Sequence, residues 1–101
     1  MQTINLSGKN WRTKHDFYDA LADALGSVEW HGRNADAFLE TMIYHLELNR
    51  VQPPYRVVIS DPSDDIRDFL NDFASWVEEA RNERTTDPDW AGDVDVAVLV
   101  T

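Results

Sequence analysis

The chain contains no cysteine, so no disulfide staples it and no thiolate can act as nucleophile or metal ligand. Glycine and proline are sparse, four of each among 101 residues, which excludes collagen-like and linker-like architectures. No stretch approaches the roughly 20 apolar residues of a membrane-spanning helix. The opening M-Q-T-I-N-L-S-G-K-N lacks the basic region and apolar core of a secretory leader. A cytoplasmic location is expected on these grounds. Positive charge is scarce as well: nine Lys and Arg oppose 19 Asp and Glu, for a formal net charge of -10. Such a field repels nucleic acids and anionic membranes and speeds encounter with a basic protein.

Catalytic signatures are also missing. The three histidines, His15, His31 and His45, fall outside metal spacings such as H-E-x-x-H. No phosphate loop, dinucleotide fingerprint or nucleophile elbow is present. We therefore assign no catalytic residue, no metal ligand and no cofactor. The one acid–base combination on offer is Glu29 with His31, two residues apart in a loop.

What is present suffices for one core. Hydrophobic residues make up 43% and aromatics 11%, enough for a single domain over residues 1–101. Thr3–Leu6 alternates as a strand. Thr13 followed by Asp16 makes a capping-box variant, Phe17, Leu21, Ala24 and Leu25 recur at helical spacing, and Gly26 suits the C-terminal stop. A second helix from Asn34 places Ala35, Phe38, Leu39, Met42, Ile43 and Leu46 on one side, and Asp36, Glu40, Tyr44 and Glu47 on another. After Asn49-Arg50, the segment containing Pro53-Pro54 reads as a connecting loop.

Tyr55–Ser60, with V-V-I and no alternation, reads as a central strand covered on both faces. Asp61–Asp65 supplies a cap and acids for a third helix, with Ile66, Phe69, Leu70, Phe73, Trp76, Val77 and Ala80 as its core stripe. Residues 84–93 read as an exposed loop, and Val94–Val100 as a last, buried strand. The order strand, helix, helix, strand, helix, strand predicts an α/β fold with a parallel sheet.

The most informative stretch is Glu29–Glu40, E-W-H-G-R-N-A-D-A-F-L-E. Gly32 can take a positive φ, Asn34 can cap the helix, and Asp36 and Glu40, four apart, share a helix face beside the Trp30–His31 turn. Trp30, His31, Gly32, Asn34, Asp36, Ala37, Leu39 and Glu40 follow the Y-Y-G-E-N-x-D-A-x-W-D pattern, and the segment resembles the barstar family of ribonuclease inhibitors. Weaker likeness runs in order from Ile4-Asn5 to the last strand.

The resemblance implies a three-stranded parallel sheet packed with helices, and a partner-binding surface made of Trp30, His31, Asn34, Asp36, Leu39, Glu40 and Tyr44. Its acids face the phosphate-binding cleft of a nuclease. E-E-A-R-N-E is similar to a family segment whose acids border the interface, which adds Glu79 and Glu83. The chain departs from the family where His31 replaces a tyrosine, Leu39 a tryptophan and Glu40 an aspartate. It also lacks a short helix after the second strand and lengthens the loop before the last. The implied partner is a basic secreted ribonuclease toxin, bound one to one by a monomer. From the residues alone, an acidic adaptor domain for a basic partner that is not a nuclease remains the alternative.

Overall fold

Strand β1 spans Gln2–Ser7, one residue longer at each end than the alternation of Ile4 and Leu6 implies. In the computed structural model, which describes residues 1–90 and 92–101, it lies beside β2 (Tyr55–Ser60), and β2 lies beside β3 (Val96–Val100). The sheet is wholly parallel, in the order β1-β2-β3, so V-V-I belongs to the central strand as expected. Parallel neighbours need long crossovers. Helices α1 (Lys14–Leu25), α2 (Ala35–Leu39) and α3 (Asp64–Thr86) supply them, which makes this the expected barstar-like α/β fold.

Burial along β2 alternates. Tyr55, Val57 and Ile59 are buried, whereas Arg56, Val58 and Ser60 are half-buried. This corrects the expectation of a strand covered on both faces. Phe17, Leu21, Phe38, Leu70 and Phe73 of the three helices join Tyr55, Val57, Val96 and Val98 in one core, while Leu99, beside Val58 on the other face, is 48% exposed. Three helices make one covering layer, and among the described residues no helix covers the second face.

Strong local signals end the helices where expected. Thr13 caps α1: its hydroxyl accepts from the Asp16 N–H at 3.3 Å, and the Asp16 carboxylate accepts from Thr13 N–H at 3.1 Å and Arg12 N–H at 2.8 Å. Those backbone donors, Arg12 first, hold the Asp16 carboxyl below its ordinary range. Gly26 closes the helix at φ 65°, where a Cβ would also stand 2.7 Å from the Arg50 Cβ. The start of α3 differs. Ser63 occupies the N-cap position, but its hydroxyl donates to the Trp11 carbonyl and leaves the helix without the expected side-chain cap.

The second helix departs furthest from expectation. Instead of one helix from Asn34 through Glu47, α2 stops at Leu39, a π turn covers Glu40–Tyr44, His45 interrupts the helix, and a 3-10 turn covers Leu46–Leu48. The wide turn is closed by His45 N–H on the Glu40 carbonyl at 2.7 Å, and three successive residues, Thr41, Met42 and Ile43, are buried. Distant side chains then take the freed carbonyls. Arg84 of α3 donates to Ile43, Asn49 to Thr41 at 3.4 Å, and Gln52 to Leu46 at 2.7 Å. These side chains satisfy carbonyls that the end of the helix leaves without an intrahelical partner.

The expectation of a fully exposed 84–93 loop is likewise corrected. Arg84, Thr85 and Thr86 belong to α3. Trp90 is half-buried against Tyr44, with ring centroids 4.9 Å apart, and the Arg84 guanidinium sits 5.2 Å over its ring. Ala91, part of that predicted loop, lies outside the described residues. Between β2 and α3 only Asp61–Ser63 intervene, in keeping with the missing short helix. Among the described residues no helix is long and apolar enough to cross a membrane.

Candidate functional site

The turn before α2 is built from within. His31 N–H donates to the Val28 carbonyl at 3.0 Å and leaves Trp30 at the tip, 74% exposed. His31 itself is 6% exposed, with its ring 4.5 Å from that of Phe38. Its Nδ1 lies 2.7 Å from the Gly32 carbonyl oxygen and its Nε2 2.9 Å from the Thr41 hydroxyl. A carbonyl can only accept, so in the neutral ring Nδ1 carries the proton and Thr41 donates to Nε2. Arg33 straps the turn to α1, donating to the His31 carbonyl at 3.0 Å and to Asp19 at 3.3 Å.

Sequence reading placed His31 among the partner-binding residues; the structure buries it instead, where it holds the turn. It does not pair with Glu29, since both ring nitrogens are engaged elsewhere. Gly32 does not adopt the expected positive φ. Its missing side chain instead allows close approach to the helix start, where a Cβ would stand 3.1 Å from Asn34 Nδ2 and 3.3 Å from Ala37 Cβ. Asn34 caps α2 through Oδ1, which accepts from Ala37 N–H at 2.8 Å.

Beyond the cap, α2 and α3 bound an open groove of about 350 Å³ lined by Ala35, Asp36, Leu39, Trp76, Glu79, Ala80 and Glu83. Four of the residues singled out from the sequence, Asp36, Leu39, Glu79 and Glu83, thus meet in one place. Asp36, Glu79 and Glu83 are exposed, and among the described residues none forms an ion pair. The neighbouring arginines are occupied elsewhere: Arg81 binds Asp93 at 2.7 Å and Asp95 at 3.6 Å, and Arg84 holds the Ile43 carbonyl and the Trp90 ring. Three carboxylates therefore share a groove without an internal cation. Burial pushes the phenol of Tyr18 up, and Asp36 adds to the effect, against a hydrogen bond with the Ala35 backbone.

Glu40 and Tyr44 do not line this groove. The π turn carries them past its end, where Glu40 lies 2.9 Å from the His45 Nε2. Tyr44 packs on Trp90 and links the two regions. Burial first, then the carboxylates of Glu83, Asp87 and Glu40, push its phenol up, and Arg84 opposes them. The single face expected for Asp36, Glu40, Tyr44 and Glu47 is thus divided in two.

Trp76 is the groove residue that sequence reasoning assigned to the core. It is 37% exposed and packs edge-on against Phe69 at 5.9 Å. A signal was present. At 100° per residue, the buried positions Ile66, Leu70, Phe73, Val77 and Ala80 centre one stripe, and Trp76 lies about 80° round from its middle. Glu83 and Glu79 lie about 100° and 140° round on the same flank. Among the described residues no three His, Asp or Glu side chains are grouped to hold a metal ion.

A family model described as Barstar (barnase inhibitor) matches residues 1–87. The match takes in the Trp30 turn, both helices of the groove and strands β1 and β2, and stops short of β3. No curated protein matches the chain.

Proposed function

Because the chain belongs to the barstar family, we propose that it is a non-enzymatic inhibitor that binds a basic bacterial ribonuclease toxin one to one and covers its active site. The observation carrying this reading is the groove where Asp36, Glu79 and Glu83 stand together without an internal cation. A ribonuclease holds RNA phosphates with Arg, Lys and His, and carboxylates presented at matching positions satisfy the same donors. Like charges gathered on one surface repel each other in the free chain, and a cationic cleft relieves that repulsion.

Ala35, Leu39, Ala80 and Trp76 supply apolar surface that excludes water around the pairs. Asp36 and Glu40 are the leading phosphate mimics, and Trp30 covers the mouth of the cleft, with Tyr44 on the rim. The net charge of -10 steers the encounter. In this reading the protein acts in the cytoplasm, where it protects the cell that makes the toxin.

Co-expression with secreted bacterial ribonucleases tests the proposal, scored by growth rescue and by a stable complex on gel filtration. Rescue by the native chain and its loss in an Asp36→Asn, Glu79→Gln, Glu83→Gln triple variant are expected. Equal rescue by the triple variant overturns the assignment. Complexes with basic proteins that leave nuclease activity intact would instead favour an adaptor domain.

A further inference from the structure

We propose that the partner-facing surface runs on past Tyr44 to Trp90, where it holds an arginine side chain of the basic partner; this rests on the inhibitor reading above and adds a contact to it. A short turn at the end of α3 places the Trp90 ring. The Asp87 carbonyl accepts from the Trp90 N–H at 3.2 Å, and the Asp87 carboxylate accepts from the Asp89 N–H at 2.9 Å. Folded back in this way, the chain sets Trp90 on the π turn, its ring centroid 4.9 Å from that of Tyr44 and 5.9 Å from that of His45. The indole is half-buried and keeps part of its surface open.

The chemistry of this corner suits an arginine. Trp90 already takes one guanidinium, that of Arg84, 5.2 Å from its ring, and Arg84 is itself tied to the Ile43 carbonyl. Glu83 and Asp87 stand near the adjoining Tyr44, and Asp89 is exposed on the turn. Among the described residues these three acids form no ion pair. Three carboxylates outweigh the single charge of Arg84, so a second cation is drawn to the corner. A planar, weakly hydrated guanidinium can lie against an indole while its N–H groups donate to carboxylates, which a compact ammonium does less well.

Continuity with the groove gives the contact its place. Tyr44 lies within charge reach of Glu83, which lines the groove, and packs on Trp90. A cleft laid over the groove and Tyr44 therefore reaches Trp90. Trp90 falls outside residues 1–87, which match the family model, so the corner is an addition of this chain. Nucleases with an arginine opposite it are bound in preference to those without one.

Hexa-arginine at low ionic strength and neutral pH serves as the basic probe, with binding to the full chain followed by NMR on the indole N–H signals. The Trp76 and Trp90 signals should move on one binding curve, while that of Trp11, which is buried, stays in place and reports an intact core. Trp90→Leu should weaken binding about twofold to fivefold, and Trp90→Phe, which keeps an aromatic face, should retain most of the affinity. Hexa-lysine, of equal charge, should lose less than hexa-arginine in Trp90→Leu. A Trp90 signal that stays still while Trp76 moves, equal losses in the Leu and Phe variants, or equal losses for the two peptides each overturn the proposal and leave the inhibitor reading standing. Absence of any shift at both Trp76 and Trp90 overturns the acidic-surface reading on which it rests.

Discussion

The hydroxyl of Thr41 offers a direct measure of how the Trp30 turn is held. Thr41 is buried, and its single hydroxyl proton has two candidate acceptors, His31 Nε2 at 2.9 Å and the Phe38 carbonyl at 3.4 Å. The shorter contact is the better bond. Thr41→Val keeps the shape of the side chain and removes the donor, leaving Nε2 of a ring that is itself buried without a partner. An acceptor stranded in this way costs about 1–3 kcal/mol. For a domain of this length, each kcal/mol lowers the melting temperature by about 4–8 °C, so a fall of about 4–24 °C is expected on calorimetry at neutral pH.

The same substitution in a His31→Phe background, which has no Nε2 to strand, should cost much less, with a coupling energy of about 1 kcal/mol or more between the two sites. Two results refute the reasoning: a Thr41→Val melting temperature within a degree or two of the native one, or an equal cost in both backgrounds. Either would mean that the turn carrying Trp30 is held by packing against Phe38 rather than by the His31–Thr41 bond.

Other consequences follow from the same geometry. Glu83→Gln and Asp36→Asn should each leave the melting temperature unchanged or raise it while accelerating dissociation from the cognate nuclease about tenfold, as loss of a charge-assisted bond acts mainly on the off-rate. Glu47→Gln, measured by the same surface-binding kinetics above neutral pH, should change it less than about twofold. Burial pushes the Tyr55 phenol far above its ordinary value. The stability it contributes is complete below the unfolded-state value near 10 and is lost as pH rises toward the folded one, so Tyr55→Phe should flatten the alkaline limb of a denaturation profile.

At the acid end, the hydrogen bond from Arg81 holds the Asp93 carboxyl down at about 2. A depressed value contributes stability above the unfolded-state pKa near 4 and loses it as pH falls through the folded one. Asp93→Asn should therefore lower stability at neutral pH and reduce its slope between about pH 4 and about pH 2, read from urea midpoints.

Local chemistry made much of the chain legible. The reciprocal bonds of Thr13 and Asp16, the left-handed stop at Gly26 and the Asn34 cap each depend on residues within a turn of one another, so spacing is enough to predict them. Parallel pairing followed from the alternation of strands with helical crossovers. The Glu29–Glu40 motif pointed to the family now matched over residues 1–87, and within that motif Asp36 and Leu39 line the groove.

Other features depend on residues far apart in the chain. The π turn has its carbonyls taken by Arg84 and Asn49, 41 and 8 residues away, contacts invisible to helical periodicity. Whether the central strand is covered on one face or two was decided by the number of helices available to cover it. His31 turned inward because Thr41 and Phe38 offer it a bonded, packed site, and Trp76 turned outward because it lies at the margin of a stripe already filled by Phe73 and Val77. Periodicity along the sequence sets which side chains share a helix face. Only the packing of α2 against α3 could bring Asp36, Glu79 and Glu83 into one groove, because their charges come from elements separated by a strand and two turns.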